Sequence, residues 1–392
     1  MKILFLSSRI PYPPDRGDKV RTLFFLRELN KLGELTLASL VDKSIDSEAM
    51  SVLDKEIPHT YFIEHTKQRA LKNMAFNIPS KTPFQVAYYK NKNLMRKLQE
   101  LKQDNHYDLV YTHLIRMVPY AKIFSDSQVI LDYTDCISLE YKRSLEHISG
   151  IRKLFFHVES ERTAQYELDT ANLFAENWVI SPVDIGTMGL KDHKRSTIMP
   201  NQVFIPEKIA DSRLKNRLIF TGNMSVPHNI VAAENVAKKI MPALIRDHPD
   251  LQFYIVGANP KPEVQALHGQ NNTHVLGFVD DLYEELFKSD IFVAPLYFSA
   301  GIQNKALEAM ACGIPVVTTP NVVESLKADD EVDIMSAADN NAFVEKIKTL
   351  LDHEETRAQI GKSGRALIAK TYSREAVTEL ISERVNKLID KD

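Results

Sequence analysis

The sequence predicts an α/β protein made of two successive domains, each a doubly wound, Rossmann-like parallel sheet. Two observations lead to this prediction. The chain has 392 residues, more than twice the ~150 residues of a typical domain. Short apolar runs also alternate with amphipathic stretches of helix length, stop at a Pro-containing stretch near residue 200, and then start again. Such sheets bind ligands at the carboxyl ends of their strands.

The first domain is expected to cover residues 1–200. Its strands are predicted from continuous apolar character, which is typical of parallel strands buried on both faces: Lys2–Ser7, Glu34–Leu40, Leu109–Thr112, Val129–Asp132 and Trp178–Ser181. Its clearest helices are Val20–Leu32, with leucines at helical spacing, and Leu114–Ile123.

The second domain is expected to cover residues 201–372. The strands predicted there are Arg217–Thr221, Leu251–Val256, His274–Leu276, Ile291–Pro295 and Pro315–Thr318. The helices predicted there are Val231–Ile245, Leu282–Lys288 and Asn304–Cys312. A final helix, within residues 373–392, can pack on either domain, including by crossing back to the first.

Composition excludes several classes of protein. Hydrophobic residues make up 44% and charged residues 26% of the chain, the proportions of a globular protein. Two cysteines allow at most one disulfide, which favours a reducing compartment. No run approaches the ~20 apolar residues that span a bilayer, and residues 3–8 are too short a run for a signal peptide. A net charge of −3 gives no general attraction to nucleic acid. We therefore expect a cytoplasmic protein.

The first loop that suggests chemistry runs from Ser8 to Lys19, between a strand and a helix. Gly17 lies directly before the helix, where the backbone can approach a ligand closely and unpaired N–H groups suit an anion. The loop is thus a candidate phosphate site. The alternative is an ordinary turn, with Gly17 as a turn glycine and Asp18 as the helix cap. No G-x-G-x-x-G motif supports dinucleotide binding.

The strongest signal lies between Ala294 and Val317. A buried strand ends, a loop with Gly301 follows, and a helix begins near Asn304 with Lys305 and Glu308 on one face. A helix N-terminus with a lysine suits a diphosphate, and a carboxylate one turn later suits sugar hydroxyls. The alternative is a solvated Lys–Glu pair.

These segments together resemble the GT-B glycosyltransferases of glycosyltransferase family 4 over nearly the whole chain. The opening R-x-P-Y-P-P-D-x-G-D from Arg9 and the segment G-I-Q-N-K-x-L-E-A-M from Gly301 look more closely like bacterial sugar transferases associated with exopolysaccharide export. Further matches are Thr221–Met224, Ile255–Gly257, Leu276–Val279 and Asn201.

The resemblance implies that the second domain holds a nucleotide-sugar, that the first receives the acceptor, and that transfer occurs in the cleft between them. The nucleotide-sugar is a substrate, so no cofactor is expected. The implied reaction retains the anomeric configuration and builds a surface polysaccharide or glycolipid on a glycan or lipid-linked acceptor. The implied donor-binding residues are Gly17, Gly222, Asn223, Phe278, Val279, Gly301, Ile302, Gln303, Asn304, Lys305 and Glu308. The implied acceptor-binding residues are Arg9, Tyr12, Asp15, Arg16, Asp18 and Arg116.

The chain departs from the family at several positions. The family has two glutamates seven residues apart; Glu308 fits the second, but Ala300 stands at the first. The family also commonly has Arg and Lys after the glycine equivalent to Gly222, where this chain has Asn223 and, further on, His228. Phosphate charge then falls more heavily on Lys305, which is predicted to be the main electrostatic catalyst.

Two strand ends of the first domain supply further candidates for catalysis. His113 follows one strand, at a place where the family often has a histidine that touches the donor, although such a residue can equally be structural. Asp132 and Asp135 close the next strand, either as turn caps or as contacts to acceptor or sugar. Of these, His113 and Asp135 are predicted to be catalytic together with Lys305. No spaced His or Cys ligand set occurs, so we expect a metal-independent reaction.

One segment of the first domain is strongly basic. Between Lys67 and Lys102 there are nine Lys or Arg residues and one acid, Glu100, interleaved with aromatic and aliphatic residues. The segment either rests on anionic lipid at the inner face of the plasma membrane or is a solvated helix face over the core.

Two other functions remain open. A nucleotide-sugar 2-epimerase shares the fold and needs no acceptor. A non-catalytic subunit that binds a nucleotide-sugar would explain Ala300 and Asn223, although Gly17, Lys305 and Glu308 are all present.

Overall fold

The computed structural model describes residues 1–14, 17–42, 46–145, 150–190, 195–207, 216–297 and 302–390. The chain divides into two compact units. The first unit comprises Met1–Asn201 together with Thr378–Asp392, and the second comprises Gln202–Val377.

The first unit is built on a parallel sheet of seven strands in the order β3-β2-β1-β4-β5-β6-β7. The strands are β1 Lys2–Ser7, β2 Glu34–Val41, β3 His59–Glu64, β4 Leu109–His113, β5 Gln128–Thr134, β6 Glu176–Val179 and β7 Ser196–Ile198. The central strands β1, β4 and β5 are almost wholly buried, as their apolar sequences predict.

The helices of the first unit are α1 Gly17–Leu32, α2 Ser47–Glu56, α3 Lys67–Phe76, α4 Phe84–Tyr88, α5 Lys92–Asp104, α6 Val118–Ala121, α7 Ile137–Ser144, α8 Gly150–Ala171 and α9 Pro182–Thr187. The helix predicted for Leu114–Ile123 is wrong in form. It is a 3₁₀ turn, Ile115–Met117, followed by the short α6. Pro119 explains the break, because a residue without an N–H fits only the first turn of a helix.

The second unit has a parallel sheet of six strands in the order β10-β9-β8-β11-β12-β13. The strands are β8 Arg217–Thr221, β9 Gln252–Val256, β10 Thr273–Gly277, β11 Ile291–Ala294, β12 Val316–Thr318 and β13 Met335–Ser336. The helices that follow Thr221 in the chain are α10 Pro227–Asn235, α11 Met241–Leu244, α12 Pro262–Gln265, α13 Leu282–Phe287, α14 Asn304–Ala311, α15 Pro320–Leu326, α16 Asn340–Asp352, α17 Glu354–Tyr372 and α18 Arg374–Ile389.

Both sheets share one winding pattern, which fixes where ligands can bind. In each, the strand that comes first in the chain lies in the middle and the order reverses beside it: between β1 and β4, and between β8 and β11. Crevices in doubly wound sheets open at the carboxyl ends of the strands at this reversal. The predicted doubly wound sheets are therefore present in both units, and each has its own expected ligand site.

Candidate active site

The loop after β8 in the second unit is shaped by two glycines. Gly222 has φ +156°, and a Cβ built on it would lie 2.8 Å from Nδ2 of Asn229 in α10. Gly257, after β9, has φ +146°, and its Cβ would lie 1.8 Å from the carbonyl oxygen of Gly222. Because no side chain fits at either position, the backbone of this loop lies directly against α10.

Lys305 lies at the other side of the reversal, in the first turn of α14. Its Nζ donates to Oδ1 of Asn229 at 2.7 Å and to Oε1 of Gln303 at 3.4 Å. The Nζ also lies 5.7 Å from the centre of the Phe220 ring. No ion pair within the described ranges includes Lys305. A half-buried ammonium held by neutral amides beside a helix N-terminus is an arrangement that suits an anionic ligand.

Burial shifts the pKa values of Lys305 and of two ionisable groups near it. Burial lowers the pKa of Lys305 to about 8. Burial raises the pKa of Glu308, one turn further along α14, to about 7, against the opposing influence of Lys305. Burial and then the charge of Lys305 lower the pKa of His228 to about 4, so this imidazole is neutral beside the lysine.

The remaining predicted donor-binding residues of the second unit lie on the surrounding loops. Oδ1 of Asn223 accepts from the backbone N–H and the hydroxyl of Ser225, so its side chain closes its own turn. Phe278, in the loop after β10, is 73% exposed. Three more of these residues are Val279 and Ile302, which pack against the core, and the exposed Asn304. Gly301, like Ala300, lies outside the described residues.

Asn229 is a site residue that the sequence analysis missed. It is buried, accepts from Lys305, and donates from Nδ2 to the carbonyl oxygen of Asn223 at 3.0 Å. It thus connects Lys305 to the loop after β8, called here the glycine loop, which contains Gly222 and Asn223. The feature of the sequence that could have indicated Asn229 is its position, as a polar residue directly after His228 near the start of a helix.

In the first unit, the predicted acceptor residues Arg9 and Arg116 converge on one tyrosine. Nε of Arg9 donates to the Tyr89 hydroxyl at 2.8 Å, and the Arg116 guanidinium lies 4.9 Å from the centre of the Tyr89 ring. Asp18, at the start of α1, pairs with Nη1 of Arg9 at 3.3 Å. Burial lowers the pKa of Arg116, and its Nε is buried without a hydrogen-bond partner. Two guanidiniums beside a single paired carboxylate make this cluster suitable for an anionic group.

The other predicted residues of this loop do not all join that cluster. α1 begins at Gly17, and a Cβ added there would meet no atom within 4 Å. Tyr12 is half-buried and interacts electrostatically with Arg27, on the opposite side of α1 from Asp18. Asp15 and Arg16 lie outside the described residues.

His113 ends β4 and is enclosed by protein. Its ring nitrogens lie 3.2 and 3.3 Å from the Thr22 hydroxyl, and Nε2 lies 3.4 Å from the Thr134 hydroxyl. Burial lowers the pKa of His113 to about 4, so the imidazole is neutral at physiological pH. These contacts fix the ring, and a role in catalysis stays a prediction.

Asp135 follows β5 and reaches solvent. Desolvation by the surrounding protein, with the negative charge of Asp184, raises the pKa of its carboxyl to about 7. A carboxyl with this pKa can accept or donate a proton near neutral pH, so the predicted catalytic role remains a prediction with a chemical basis.

Asp132 is fully buried, and the expected cap on the following turn is one of several contacts that it makes. Its two carboxylate oxygens accept from Arg21 at 2.9 and 3.0 Å, and the pair is completely buried. It also accepts from the Tyr111 hydroxyl and from the backbone N–H of Thr134. Nη1 of Arg21 in turn donates to Oδ1 of Asn201 at 3.0 Å. Asp132 is therefore structural.

The apolar side chains of the basic segment 67–102 are buried on one of its helices and exposed on another. For α5 the structure bears out the second alternative, a solvated helix face over the core, because Leu94, Leu98 and Leu101 pack into the core. Its apolar face is therefore not available to lipid. On α3, by contrast, Leu71 and Phe76 are exposed.

The described ranges offer neither a candidate metal cluster nor a candidate membrane span. They contain no group of three or more His, Cys, Asp or Glu side chains placed to hold a metal ion. None of their helices is both long and apolar enough to cross a bilayer.

The comparison with known families bears on the second unit. The model described as "Glycosyl transferases group 1" matches residues 215–353. These residues form a glycosyl transferases group 1 domain. The match covers the glycine loop, Lys305 and Glu308, and it identifies the chain as a glycosyltransferase.

Relatives of this glycosyltransferase include a protein of a cps region and a sugar transferase. A Klebsiella pneumoniae protein, described as an uncharacterized 44.6 kDa protein in the cps region, is 21% identical over 96% of this chain and 97% of its own length. A Campylobacter jejuni N,N'-diacetylbacillosaminyl-diphospho-undecaprenol alpha-1,3-N-acetylgalactosaminyltransferase is 33% identical, over 36% of this chain and 37% of its own.

The solved structures agree on the fold. Anabaena HepE in complex with UDP superposes with a TM-score of 0.68 at 14% identity, over 99% of this chain and 100% of HepE. HepE has also been solved with UDP-glucose. The predicted GT-B fold is thus confirmed for this glycosyltransferase.

Proposed function

We propose that this glycosyltransferase moves a sugar from a nucleotide-sugar to a glycan or lipid-linked acceptor in the synthesis of a surface polysaccharide or glycolipid. The reaction retains the anomeric configuration and needs no metal ion. The second unit binds the donor and the first unit binds the acceptor. UDP-sugars are the first donors to test, because HepE binds UDP, and the lipid-linked acceptor of the Campylobacter relative gives the first acceptor class.

The observation that carries this proposal is the environment of Lys305. Its ammonium is half-buried, held by Asn229 and Gln303 through neutral oxygens, and destabilised by burial. A diphosphate would supply the missing negative charge. The Gly222 loop lies beside this lysine, because Gly222 packs directly against Asn229, the residue that holds Lys305.

Lys305 also explains how transfer is accelerated without a metal ion. When the glycosidic bond breaks, negative charge grows on the departing nucleoside diphosphate. A fixed ammonium in a partly desolvated site stabilises that charge more in the transition state than in the ground state. Neutral His228 and Asn223, where the family commonly has cations, leave Lys305 as the main source of positive charge.

The first unit supports the acceptor half of the proposal. Arg9 and Arg116 are held against Tyr89, and Asp18 neutralises one of the two charges. An acceptor with a phosphate or carboxylate would complete the balance. Asp135 is proposed to exchange a proton with the acceptor hydroxyl, since its pKa lies near 7.

The donor is identified by thermal shift with UDP-, GDP-, ADP- and dTDP-sugars. We expect one nucleotide to raise the unfolding temperature clearly, because a ligand at 100 times its dissociation constant adds about 2.7 kcal/mol of stability. The Lys305→Ala variant serves as the control and should show a much smaller shift. Equal, negligible shifts with every donor would contradict the proposal.

Transfer itself is measured with the donor that binds, with and without a chelator and a synthetic lipid-linked acceptor. We expect equal rates with and without EDTA, and a product whose linkage has the anomeric configuration of the donor. Epimerisation of the donor without acceptor would instead identify the 2-epimerase. Binding without turnover on any acceptor would favour a non-catalytic subunit.

Donor affinity should pass through a maximum between about pH 7 and pH 8. Below pH 7 Glu308 becomes protonated and accepts sugar hydroxyls poorly, and above pH 8 Lys305 loses its charge. Glu308→Gln should bind donor about fivefold more weakly, since hydrogen bonds to charged groups exceed neutral ones by roughly 1 kcal/mol. This variant should lose the acidic limb of the profile, and its alkaline limb should move to lower pH, because Glu308 no longer raises the pKa of Lys305.

Isothermal titration calorimetry measures donor affinity from pH 5.5 to 9.5 and so tests this profile. The control is Glu324→Gln, which changes an exposed glutamate on neighbouring α15. If Glu308→Gln shows the same pH dependence of donor affinity as the native protein, Glu308 does not bind the donor and is only part of the helix surface.

A further inference from the structure

The first unit presents a cluster of exposed apolar side chains that its own core does not use. It combines α3 and the turn after it with the first two turns of α8. The members are Leu71, Phe76, Ile78, Leu154, Phe155 and Val158, called here the α3–α8 patch. Phe76 is 85% exposed, and Ile78 and Leu154 are each 63% exposed. Exposed apolar clusters of this kind mark sites of protein or membrane interaction.

Contacts between the two chain segments hold the patch in place. The Phe84 ring stacks on Phe155, with centroids 5.4 Å apart. Nη2 of Arg162, in α8, donates to the carbonyl oxygen of Ile78 at 3.0 Å. Buried Glu159 accepts from the backbone N–H of Phe84 at 2.7 Å and pairs with Arg162. The turn that carries Ile78 is thus bound to α8, so the elements that carry the apolar side chains are connected.

The charge around the patch is mostly positive, with exposed Glu161, one turn beyond Val158, as a neighbouring acid. Residues 67–84 and 150–158 contain six basic residues and no acidic one. The basic residues are Lys67, Arg69, Lys72, Lys81, Arg152 and Lys153, and all are exposed. The whole chain, in contrast, carries a net charge of −3.

We infer that the α3–α8 patch inserts its apolar side chains into the surface of an anionic bilayer. The basic residues around it bind the lipid headgroups. This inference rests on the proposed function, because an acceptor carried by a lipid is reached from the bilayer surface. It places the contact on α3 and α8 and not on α5, whose leucines face the core.

Charge favours a bilayer over a second copy of this chain. Two copies meeting through this patch would bring twelve like charges together at one interface, twice the six that each patch carries, and like charges oppose association. An anionic bilayer supplies both the negative headgroups and the apolar interior that the patch would bury.

The test is co-sedimentation of the full chain with vesicles of phosphatidylcholine alone or mixed with phosphatidylglycerol, at low and high salt. We expect binding only with phosphatidylglycerol, weakened by salt because screening shortens the reach of the charges. The variant with Phe76, Ile78 and Leu154 changed to Ser should lower the partition coefficient at least tenfold. The matched variant with Leu168, Leu173 and Val332, three exposed residues elsewhere, changed to Ser should stay within twofold.

Direct insertion is measured with Phe76→Trp. Trp178 is the chain's single native tryptophan and is fully buried, so it contributes a constant background. We expect brominated lipid to quench the emission of Trp introduced at position 76, whereas Leu173→Trp should not respond.

Three results would overturn the inference: no sedimentation of the native chain with anionic vesicles, equal sedimentation of the patch variant, or a native dimer that the patch variant converts to monomer while vesicle binding persists. The donor thermal shift distinguishes failure of this inference from failure of the proposed function. A patch variant that loses vesicles but keeps the donor shift supports the membrane contact. A chain with no donor shift contradicts the transferase proposal whatever its lipid binding.

Discussion

Replacing Lys305 with alanine is expected to slow sugar transfer by about 10²–10³-fold. The ammonium stands at the reversal point of the second sheet, held by Asn229 at 2.7 Å. Under the proposed function, it faces the negative charge that grows on the leaving diphosphate. Because burial already disfavours its charged form, with a pKa of about 8, its removal should change the unfolding temperature of the free protein little.

Initial rates at saturating and subsaturating donor separate binding from chemistry in this variant. The control is Lys238→Ala, which removes an exposed lysine that pairs with Glu234, and it should keep the native rate. Turnover near the native value in Lys305→Ala would place the main electrostatic catalyst elsewhere.

The strands were the part of the fold most open to prediction. Lys2–Ser7 and Arg217–Thr221 were predicted with their observed bounds, because buried parallel strands are continuous apolar runs. Strand His59–Glu64 was missed because it forms the edge of its sheet and is only half-buried, so its residues mix polar and apolar types. The helix predicted for Val231–Ile245 contains a π-helical turn, Val236–Ile240. That turn directly precedes α11, where Pro242 cannot donate a helix hydrogen bond.

The candidate site was predictable where its residues are close in sequence. Lys305 and Glu308 lie one turn apart in α14, so their spacing in the sequence already indicates that they act together. Asn229 lies 76 residues from Lys305, and only the order of strands β8 and β11 brings them together. Arg21 and Asp132 are 111 residues apart, and nothing local in either segment indicates that they pair.

The burial of individual side chains was the other property that could not be predicted from the sequence. Asp132 and Asp135 are three positions apart in one strand end, and sequence reasoning gave them the same alternatives. The structure buries the first against Arg21 and leaves the second open to solvent. In the basic segment, Leu98 and Phe76 both follow helical spacing beside lysines, yet one packs into the core and the other is exposed.

Replacing Asp132 with alanine should destabilise the first unit by about 3–5 kcal/mol, because it leaves Arg21 as an uncompensated buried charge. Among the described residues, Arg21 would keep a hydrogen bond to Asn201, the Phe25 ring 4.3 Å from its guanidinium, and the more distant charge of Asp135. Burial opposes ionisation of Asp132, but Arg21 outweighs it, so the pKa of Asp132 lies below its usual value. The stabilisation is therefore present above the unfolded pKa of about 3.9 and is lost as pH falls through the lower folded pKa.

The measurement is urea unfolding followed by the fluorescence of Trp178, which lies in the first unit with its ring 5.8 Å from Tyr111 and 5.7 Å from Phe25. This single tryptophan reports the first unit, and the difference between native and variant should be constant from pH 5 to pH 8. Glu56→Gln, which breaks a partly exposed pair with Arg27, is the control and should cost no more than about 1 kcal/mol. Arg21→Met combined with Asp132→Ala should regain part of the loss, since it removes the stranded charge. A loss of less than 1 kcal/mol in Asp132→Ala, or no recovery in the double variant, would show that this pair does not hold the first unit together.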